Sequence, residues 1–202
     1  MMARKHPSQR KSRQSRPRVL IIVEGDTGKS EQTYFQLLAR ELRSNKSAVD
    51  VKVIPGKGEP SKLLSKCLVE KERHEEEYDH FCLVVDADEH AKLEEVLREA
   101  PGQGINVVVT NPQFELWLLW HVLDQHGFIS GAEAADKAYK LGLTTGKNGK
   151  ELARLFPVHS FQEAQQRARQ VWPELRPNQI GSNPSSSIPW LIEAIQSGVF
   201  SI

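Results

Sequence analysis

Four short, strongly apolar runs recur along the first half of the chain, and their alternation with amphipathic segments restricts the fold more than any other feature. The runs are rich in β-branched residues and cover residues 18–23, 49–54, 81–85 and 105–109. Helical spacing of apolar residues marks the segments 31–42, 61–77, 91–100 and 112–126. Apolar strands that alternate with helices are typical of a parallel sheet covered on both faces. We therefore predict an α/β fold with an open, mostly parallel four-stranded sheet and helices on both faces.

The chain after residue 127 has a different pattern, made of short polar helices. We predict these helices over residues 131–141, 149–156, 161–171 and 188–196, and no further strand. The segment RPNQIGSNPSSS at 176–187 is rich in turn-forming residues, so we predict an exposed loop that ends with Ser187 as the N-cap of the last helix. The expected organisation is an α/β domain over residues 18–127 with a helical extension, residues 128–202, packed on the same domain.

The charges are distributed unevenly along the chain. The whole sequence has a net charge of +1, but its first 18 residues hold seven Lys and Arg and no acidic residue, so the remainder carries a net charge of −6. We predict that residues 1–17 form a disordered basic arm. The arm is either a tether for nucleic acid, which Lys and Arg bind by releasing phosphate counterions, or a solubilising leader.

Hydropathy and cysteine content exclude several classes of protein. No run approaches the ~18 apolar residues that span a bilayer, and the N-terminus lacks an apolar signal core, so we expect a cytoplasmic protein. The two cysteines, Cys67 and Cys82, are too few for a disulfide framework or a thiolate metal site. Both are interpreted as small buried apolar residues.

Acidic residues follow the first and third predicted strands, at the edge where open α/β sheets form their binding sites. Glu24 and Gly25 come directly after the run VLIIV, and Asp86 and Asp88 follow FCLVV with only Ala87 between them. Carboxylates that converge raise each other's pKa unless a cation is bound, and their oxygen atoms suit Mg²⁺ or Mn²⁺. We therefore predict a metal site of Glu24, Asp86 and Asp88 that acts on phosphodiesters. The alternative for Asp88 is that it caps the next helix.

A fourth acidic residue, Glu115, lies one turn into the fourth predicted helix, within the apolar segment NPQFELWLLWH at 111–121. It is either another residue of the catalytic site or the partner of a basic residue such as Lys150. Asn111 is predicted to be the N-cap of this helix, with Pro112 as its first residue. Lys29 and Lys57 are candidates to offset phosphate charge, with solvated surface positions as the alternative.

The same motifs resemble a known family. VEG after the first strand and DAD after the third look like the Mg²⁺-binding TOPRIM module of topoisomerases and primases. The finer pattern is similar to the RloB-like proteins of bacterial and archaeal anti-phage defence loci, in the segments VEGDTGKSEQTYFQLL, VVDADEH, NPQFELWLLWH and SNPSSSIPWLIEAI. The resemblance implies a TOPRIM-type metal-dependent nuclease acting on RNA or DNA, with other defence proteins as further partners. Glu24 is then the general base or a metal-linked acid, Asp86 and Asp88 are metal ligands, and Glu115 is a candidate for the same catalytic site.

One departure from the family concerns Glu31. The family reads EGxTE followed closely by YF, whereas here Gly28, Lys29 and Ser30 intervene before Glu31. This insertion predicts a longer turn that moves Glu31 away from the site, and we therefore leave Glu31 out of the predicted catalytic residues.

Two other functions compete with the nuclease. Gly28, Lys29 and Ser30 resemble the end of a nucleotide-binding P-loop, but the glycine required five residues before Gly28 is replaced by Val23, inside the strand, which excludes a phosphate-wrapping loop. A non-catalytic subunit that holds nucleic acid or a defence partner stays open as the alternative. Metal-dependent cleavage is the property that separates it from a nuclease.

Overall fold

The computed structural model describes residues 16–44, 47–87 and 92–201. Of the predicted basic arm, only Arg16 and Pro17 fall within the described residues. Asp88 lies outside them.

The four apolar runs form neighbouring parallel strands of one sheet. They are β1 (Arg18–Val23), β2 (Asp50–Pro55), β3 (His80–Asp86) and β4 (Ile105–Asn111), in the order β2-β1-β3-β4. In this register Ile21 lies opposite both Val53 and Cys82, and Leu83 lies opposite Val107. The predicted α/β architecture with parallel strands is confirmed.

A helix follows each of these strands, so that the sheet is covered on both faces. The helices are α1 (Ser30–Ser44), α2 (Pro60–Arg73), α3 (Leu93–Glu99) and α4 (Phe114–Leu119). Alternate residues of β1 point to opposite faces: Val19, Ile21 and Val23 pack with α1 and α4, whereas Leu20 and Ile22 pack with α2 and α3. The period of two residues thus divides the apolar core into two layers. No helix in the described part of the chain is long and apolar enough to cross a membrane.

The first-half strands and most helices lie close to their predicted positions, but the predicted helix over 112–126 is wrong beyond Leu119. The chain tightens into i→i+3 bonds there, from His121 N–H to Leu118 O at 3.2 Å and from Val122 N–H to Leu119 O at 2.9 Å. The guanidinium of Arg167 donates to the carbonyl oxygen of Trp120 and so satisfies the end of α4.

The start of α4 also differs from the prediction. Gln113, not Asn111, occupies the N-cap position, and its side chain makes no capping bond. Asn111 ends β4 and its amide donates to Gly181 O at 2.9 Å. Because tertiary contacts use the Asn111 side chain, the local capping pattern gave the wrong start for the helix.

The C-terminal part contributes α5 (Gly131–Lys140), a two-stranded hairpin of β5 (Thr144–Thr145) and β6 (Glu151–Leu152), and α6 (Phe161–Val171). The predicted helix over 149–156 is wrong, because β6 and a turn occupy this segment. Gly146, Asn148 and Gly149 all have positive φ angles, of 75°, 63° and 64°, which a right-handed helix cannot contain.

A fifth strand, β7 (Ser185–Ser186), pairs antiparallel with β4 and precedes α7 (Ile188–Ser197). The sheet is therefore mixed, and the predictions of an exposed loop and of no further strand are wrong at this point. Ser185, Ser186 and Ser187 are fully buried, and residues of β4 satisfy the hydroxyl groups of Ser186 and Ser187. Thr110 Oγ1 and Ser186 Oγ share a hydrogen bond of 2.9 Å. Ser187 takes the N-cap position of α7, yet its hydroxyl bonds to β4 and not to the helix.

Both cysteines are free and buried, as predicted. Burial raises the pKa of the Cys67 thiol to about 12, so it behaves as an apolar group at neutral pH.

Candidate active site

The carboxyl ends of β1 and β3 lie side by side, and they bring Glu24 next to Asp86. The backbone N–H of Glu24 donates to Val84 O at 3.1 Å, which continues the parallel ladder by one residue. In return, the backbone N–H of Asp86 donates to Glu24 Oε2 at 3.0 Å. Two residues separated by 62 positions in the sequence are thus joined directly at the sheet edge.

Asp86 is the most perturbed carboxyl group of this edge. Burial raises its pKa well above the ordinary value, and the negative charges of Glu31, Glu24 and Glu115 raise it further. A hydrogen bond from the backbone of Phe114, at the start of α4, opposes this effect in part. Asp86 therefore lies where three other carboxylates act on it.

Glu31 is one of these carboxylates, although the sequence prediction left it out. The inserted residues form a turn, with Lys29 N–H donating to Asp26 O at 3.1 Å and Gly28 at a φ of 76°, and this turn returns the chain to the sheet edge. Glu31 then lies in the first turn of α1. Its pKa is raised mainly by burial and further by the charges of Glu115 and Glu24, and the hydroxyl of Ser30 lowers it.

Gly25 provides the space that Glu31 occupies. A Cβ atom at position 25 would lie 2.8 Å from Cδ of Glu31, closer than real Cβ contacts allow. A glycine directly after β1, followed by an acidic residue in the first turn of α1, is the sequence signal that could have identified Glu31.

Glu115 is 6% exposed and faces the same cleft from α4. Burial raises its pKa, whereas the charge of Lys150 and a 2.7 Å hydrogen bond from Gln113 Nε2 lower it. The two roles that the sequence left open are therefore compatible, because Glu115 joins the acidic group and also interacts electrostatically with Lys150.

An aromatic cluster centred on Tyr34 fixes the two helices that carry Glu31 and Glu115. The Tyr34 ring makes edge contacts with Phe114 at 5.5 Å and with Trp117 at 6.4 Å between ring centroids. Its hydroxyl lies 3.2 Å from His121 Nε2. Because Tyr34 is one turn beyond Glu31 and Phe114 immediately precedes Glu115, this packing sets the separation of the two carboxylates.

Together these residues form an open cleft of about 320 Å³ at the carboxyl edge of the sheet. Lys29 and Lys150 line it together with the acidic residues. Lys57, the other lysine candidate, forms an ion pair with Asp26 at 3.0 Å and does not line the cleft. The structure thus places two positive side chains beside the acidic group.

The predicted metal site can be compared with these residues only in part. Carboxylates that raise each other's pKa have the donor chemistry that a hard divalent cation would relieve. Within residues 16–44, 47–87 and 92–201, however, no group of three or more His, Cys, Asp or Glu side chains is arranged to hold a metal ion. Asp88, predicted to be a ligand, lies outside the described residues. The donor chemistry therefore fits Mg²⁺, although the described side chains alone do not form a ligand set.

Fold and cleft together define an α/β protein with an acidic site at the carboxyl ends of its central parallel strands. Within this class, the family model of the RloB-like proteins matches residues 19–195. The chain therefore belongs to the RloB-like family.

Comparisons with other known proteins add little to this assignment. No curated protein matches the chain in sequence. A matching solved structure is that of an ABC transporter solute binding protein from Bacillus halodurans C-125 with bound myo-inositol, at 12% identity and a TM-score of 0.34. The match covers 73% of this chain and 52% of that one, so the chain spans about half the length of the structure it matches. A TM-score of this size supports neither a shared fold nor a shared ligand.

Proposed function

We propose that the protein is a TOPRIM-type, Mg²⁺-dependent nuclease that hydrolyses phosphodiester bonds of RNA or DNA in bacterial or archaeal anti-phage defence, with Mn²⁺ as a substitute ion. The observation that carries the proposal is the convergence of Glu31, Asp86 and Glu115 in one cleft beside Lys29 and Lys150, with Glu24 hydrogen-bonded to the backbone of Asp86. Four acidic residues in one place cost stability, and a shared cation is the simplest physical reason to keep them.

The arrangement of the strands supports the TOPRIM part of the proposal. The acidic residues follow β1 and β3, which are adjacent at the centre of the sheet. β7 adds an antiparallel edge beyond β4 and leaves the carboxyl ends of the central strands open.

In the proposed mechanism each side chain has a separate role. Asp86, together with Asp88, would hold the ion, and Glu24 would orient or deprotonate the attacking water. A bound Mg²⁺ would stabilise the charge that develops on the phosphate and lower the pKa of the attacking water. Lys29 and Lys150 would bind the non-bridging oxygens of the scissile phosphate, which places the phosphodiester against the acidic group.

The test is a cleavage assay with labelled single- and double-stranded RNA and DNA, in Mg²⁺, Mn²⁺ or EDTA. We expect cleavage that requires the ion and that falls by at least about 100-fold in Asp86→Asn, because removal of a charged ligand weakens ion binding. Glu72→Gln, an exposed position on α2 far from the cleft, is the matched control. A wild-type protein that binds no Mn²⁺ and cleaves none of these substrates contradicts the proposal. If such a protein still binds nucleic acid, it supports the non-catalytic alternative.

A further inference from the structure

We propose that a groove between α1 and β2 binds the phosphodiester backbone of one nucleic-acid strand and leads it from the acidic cleft to the amino edge of the sheet. The proposal rests on the nuclease function above and adds the path that the substrate takes.

The groove is a separate depression of about 230 Å³ on the open side of the sheet. β2 is the edge strand there, and Arg40 and Arg43 of α1 face Lys52 of β2 across the groove. Arg43 is 3.3 Å from Asp50, but within the described residues neither Arg40 nor Lys52 forms an ion pair. The groove therefore presents two exposed positive side chains, Arg40 and Lys52, that no acidic side chain of the described residues neutralises.

Helical periodicity connects this groove to the cleft. The side chains that follow one flank of α1 are spaced by three or four residues, at Lys29, Gln32, Gln36, Arg40 and Arg43. Helical hydrogen bonding already includes Lys29, whose carbonyl accepts from Thr33 N–H at 3.0 Å. Lys29 lines the acidic cleft, and Arg43 lies about 21 Å further along the helix. The flank contains only basic and amide side chains.

The far end of the groove lies where the chain enters the sheet. Asp50, the partner of Arg43, donates its backbone N–H to Pro17 O at 2.9 Å. The sequence before Pro17 carries six Lys and Arg and no acidic residue. Residues 1–15 are outside the described structure and are not part of the proposed site.

Charge and geometry favour a phosphodiester over an acidic peptide. The chain beyond its first 18 residues has a net charge of −6, so a polyanion is attracted only where positive groups are local and unpaired. Charges further apart than the Debye length of about 8 Å are largely screened at physiological salt. Guanidinium groups match phosphate oxygens in a bidentate geometry, and the flank of α1 that borders the groove begins at Lys29, which lines the proposed site of phosphodiester cleavage.

The experiment measures binding of labelled 12-nucleotide oligo-dT and oligo-U by fluorescence anisotropy in EDTA, at salt concentrations from 50 to 200 mM. We expect Arg40→Gln/Lys52→Gln to bind at least tenfold more weakly at the lowest salt. The slope of log K against log salt should fall by about 1.4, because two single-strand phosphate contacts are lost. Arg73→Gln/Arg98→Gln, exposed positions on α2 and α3 at the opposite face of the sheet, should bind within twofold of the wild type.

Three results overturn the groove proposal. The first is that the wild-type protein binds neither oligonucleotide. The second is that oligonucleotide binding is weakened equally in the two double variants. The third is that poly-glutamate displaces the labelled oligonucleotide as well as an unlabelled oligonucleotide of equal charge does. Cleavage in Mn²⁺ is measured separately on the same proteins. If cleavage requires the ion and the Arg40→Gln/Lys52→Gln variant binds as the wild type does, the groove proposal is rejected and the nuclease proposal stands. If this variant binds more weakly but no protein cleaves, the nuclease proposal is rejected and the groove proposal stands.

Discussion

At the scale of single residues, the cleft is a balance between burial and charge. Asp86, Glu31 and Glu115 all have raised pKa values, and burial is the largest cause for each. Such a group destabilises the folded chain wherever it remains ionised, because the unfolded chain solvates the charge better. These three acidic residues of the cleft therefore cost folding free energy while they are ionised.

Glu31→Gln tests this balance. Removal of one negative charge from the group should raise Tm at pH 7 by about 2–4 °C, on the order of 1 kcal/mol for a chain of this size, and should weaken both Mn²⁺ binding and cleavage. Differential scanning calorimetry and a Mn²⁺ titration measure the two effects. Glu163→Gln, in the exposed first turn of α6, is the control. A variant that loses stability and keeps full Mn²⁺ affinity would place Glu31 outside the functional group.

His121 gives a pH-dependent prediction away from the cleft. Burial lowers its pKa from 6.5 to about 4, with the charges of Arg167 and His159 acting in the same direction and a bond to Trp117 O opposing them. The unfolded chain therefore binds more protons than the folded chain between these values. The contribution of the neutral His121 side chain to the free energy of unfolding is therefore complete above about pH 6.5 and is lost as the pH falls towards 4.

Urea unfolding at pH 7 and pH 4.5 measures this effect by comparison with His121→Gln. We expect the wild-type free energy of unfolding to fall by about 2–3 kcal/mol more than that of the variant over this interval. Because the acidic cleft is common to both proteins, its own titration cancels in the difference. Equal losses in the two proteins would contradict a neutral, buried imidazole.

At the scale of secondary structure elements, sequence patterns identified the parts whose apolar residues repeat. The four parallel strands, for example, are short continuous apolar runs, and helix α6 follows the period of 3.6 residues; their predicted positions agree closely with the structure. β5, β6 and β7 have two residues each, too few to show a period. β7 forms because the distant strand β4 satisfies it, whereas β5 and β6 pair only with each other across a turn. A local apolar pattern contains no information on either pairing. Glu31 was missed for a different reason, since the inserted residues were interpreted as moving it away, whereas they form a tight local turn that returns it to the edge.

Ser187→Ala tests how much the connection of β7 and α7 to β4 contributes. Ser187 Oγ accepts a 2.9 Å hydrogen bond from Val109 N–H, and the group is fully buried. The alanine variant leaves this N–H without the Ser187 hydroxyl, so we expect a loss of about 1–3 kcal/mol in the free energy of unfolding. Ser197→Ala removes an exposed side-chain bond to Glu193 O and should cost less than about 0.5 kcal/mol. Similar small costs in both variants would show that the buried bond is not important.

At the scale of the whole molecule, the chain separates its charges, with basic residues concentrated in the first 18 and an acidic remainder. Among the residues that the structure describes, the buried core begins at Val19. We therefore expect the first residues of the chain to contribute to the affinity for a polyanion and little to the stability of the fold.

Deletion of residues 1–15 separates these two properties. Because Pro17, which accepts a bond from Asp50, is retained, we expect Tm to change by less than about 2 °C. Oligonucleotide affinity at 100 mM salt should fall at least tenfold, and the salt slope should become smaller in magnitude. Unchanged affinity and slope would favour the solubilising role of these residues over the tether.

The bonds that β4 receives from residues 178–187 also bear on the order in which the protein matures during translation. Asn178 and Ser187 together bond the backbone of Val107 and Val109, and β4 leads directly into α4, which carries Glu115. All four acidic residues of the cleft leave the ribosome well before these two residues do. We therefore expect a nascent chain to contain every proposed catalytic group without the edge that orders one wall of the cleft, so that competence arises only after residues 178–187 have been made and have bound to β4.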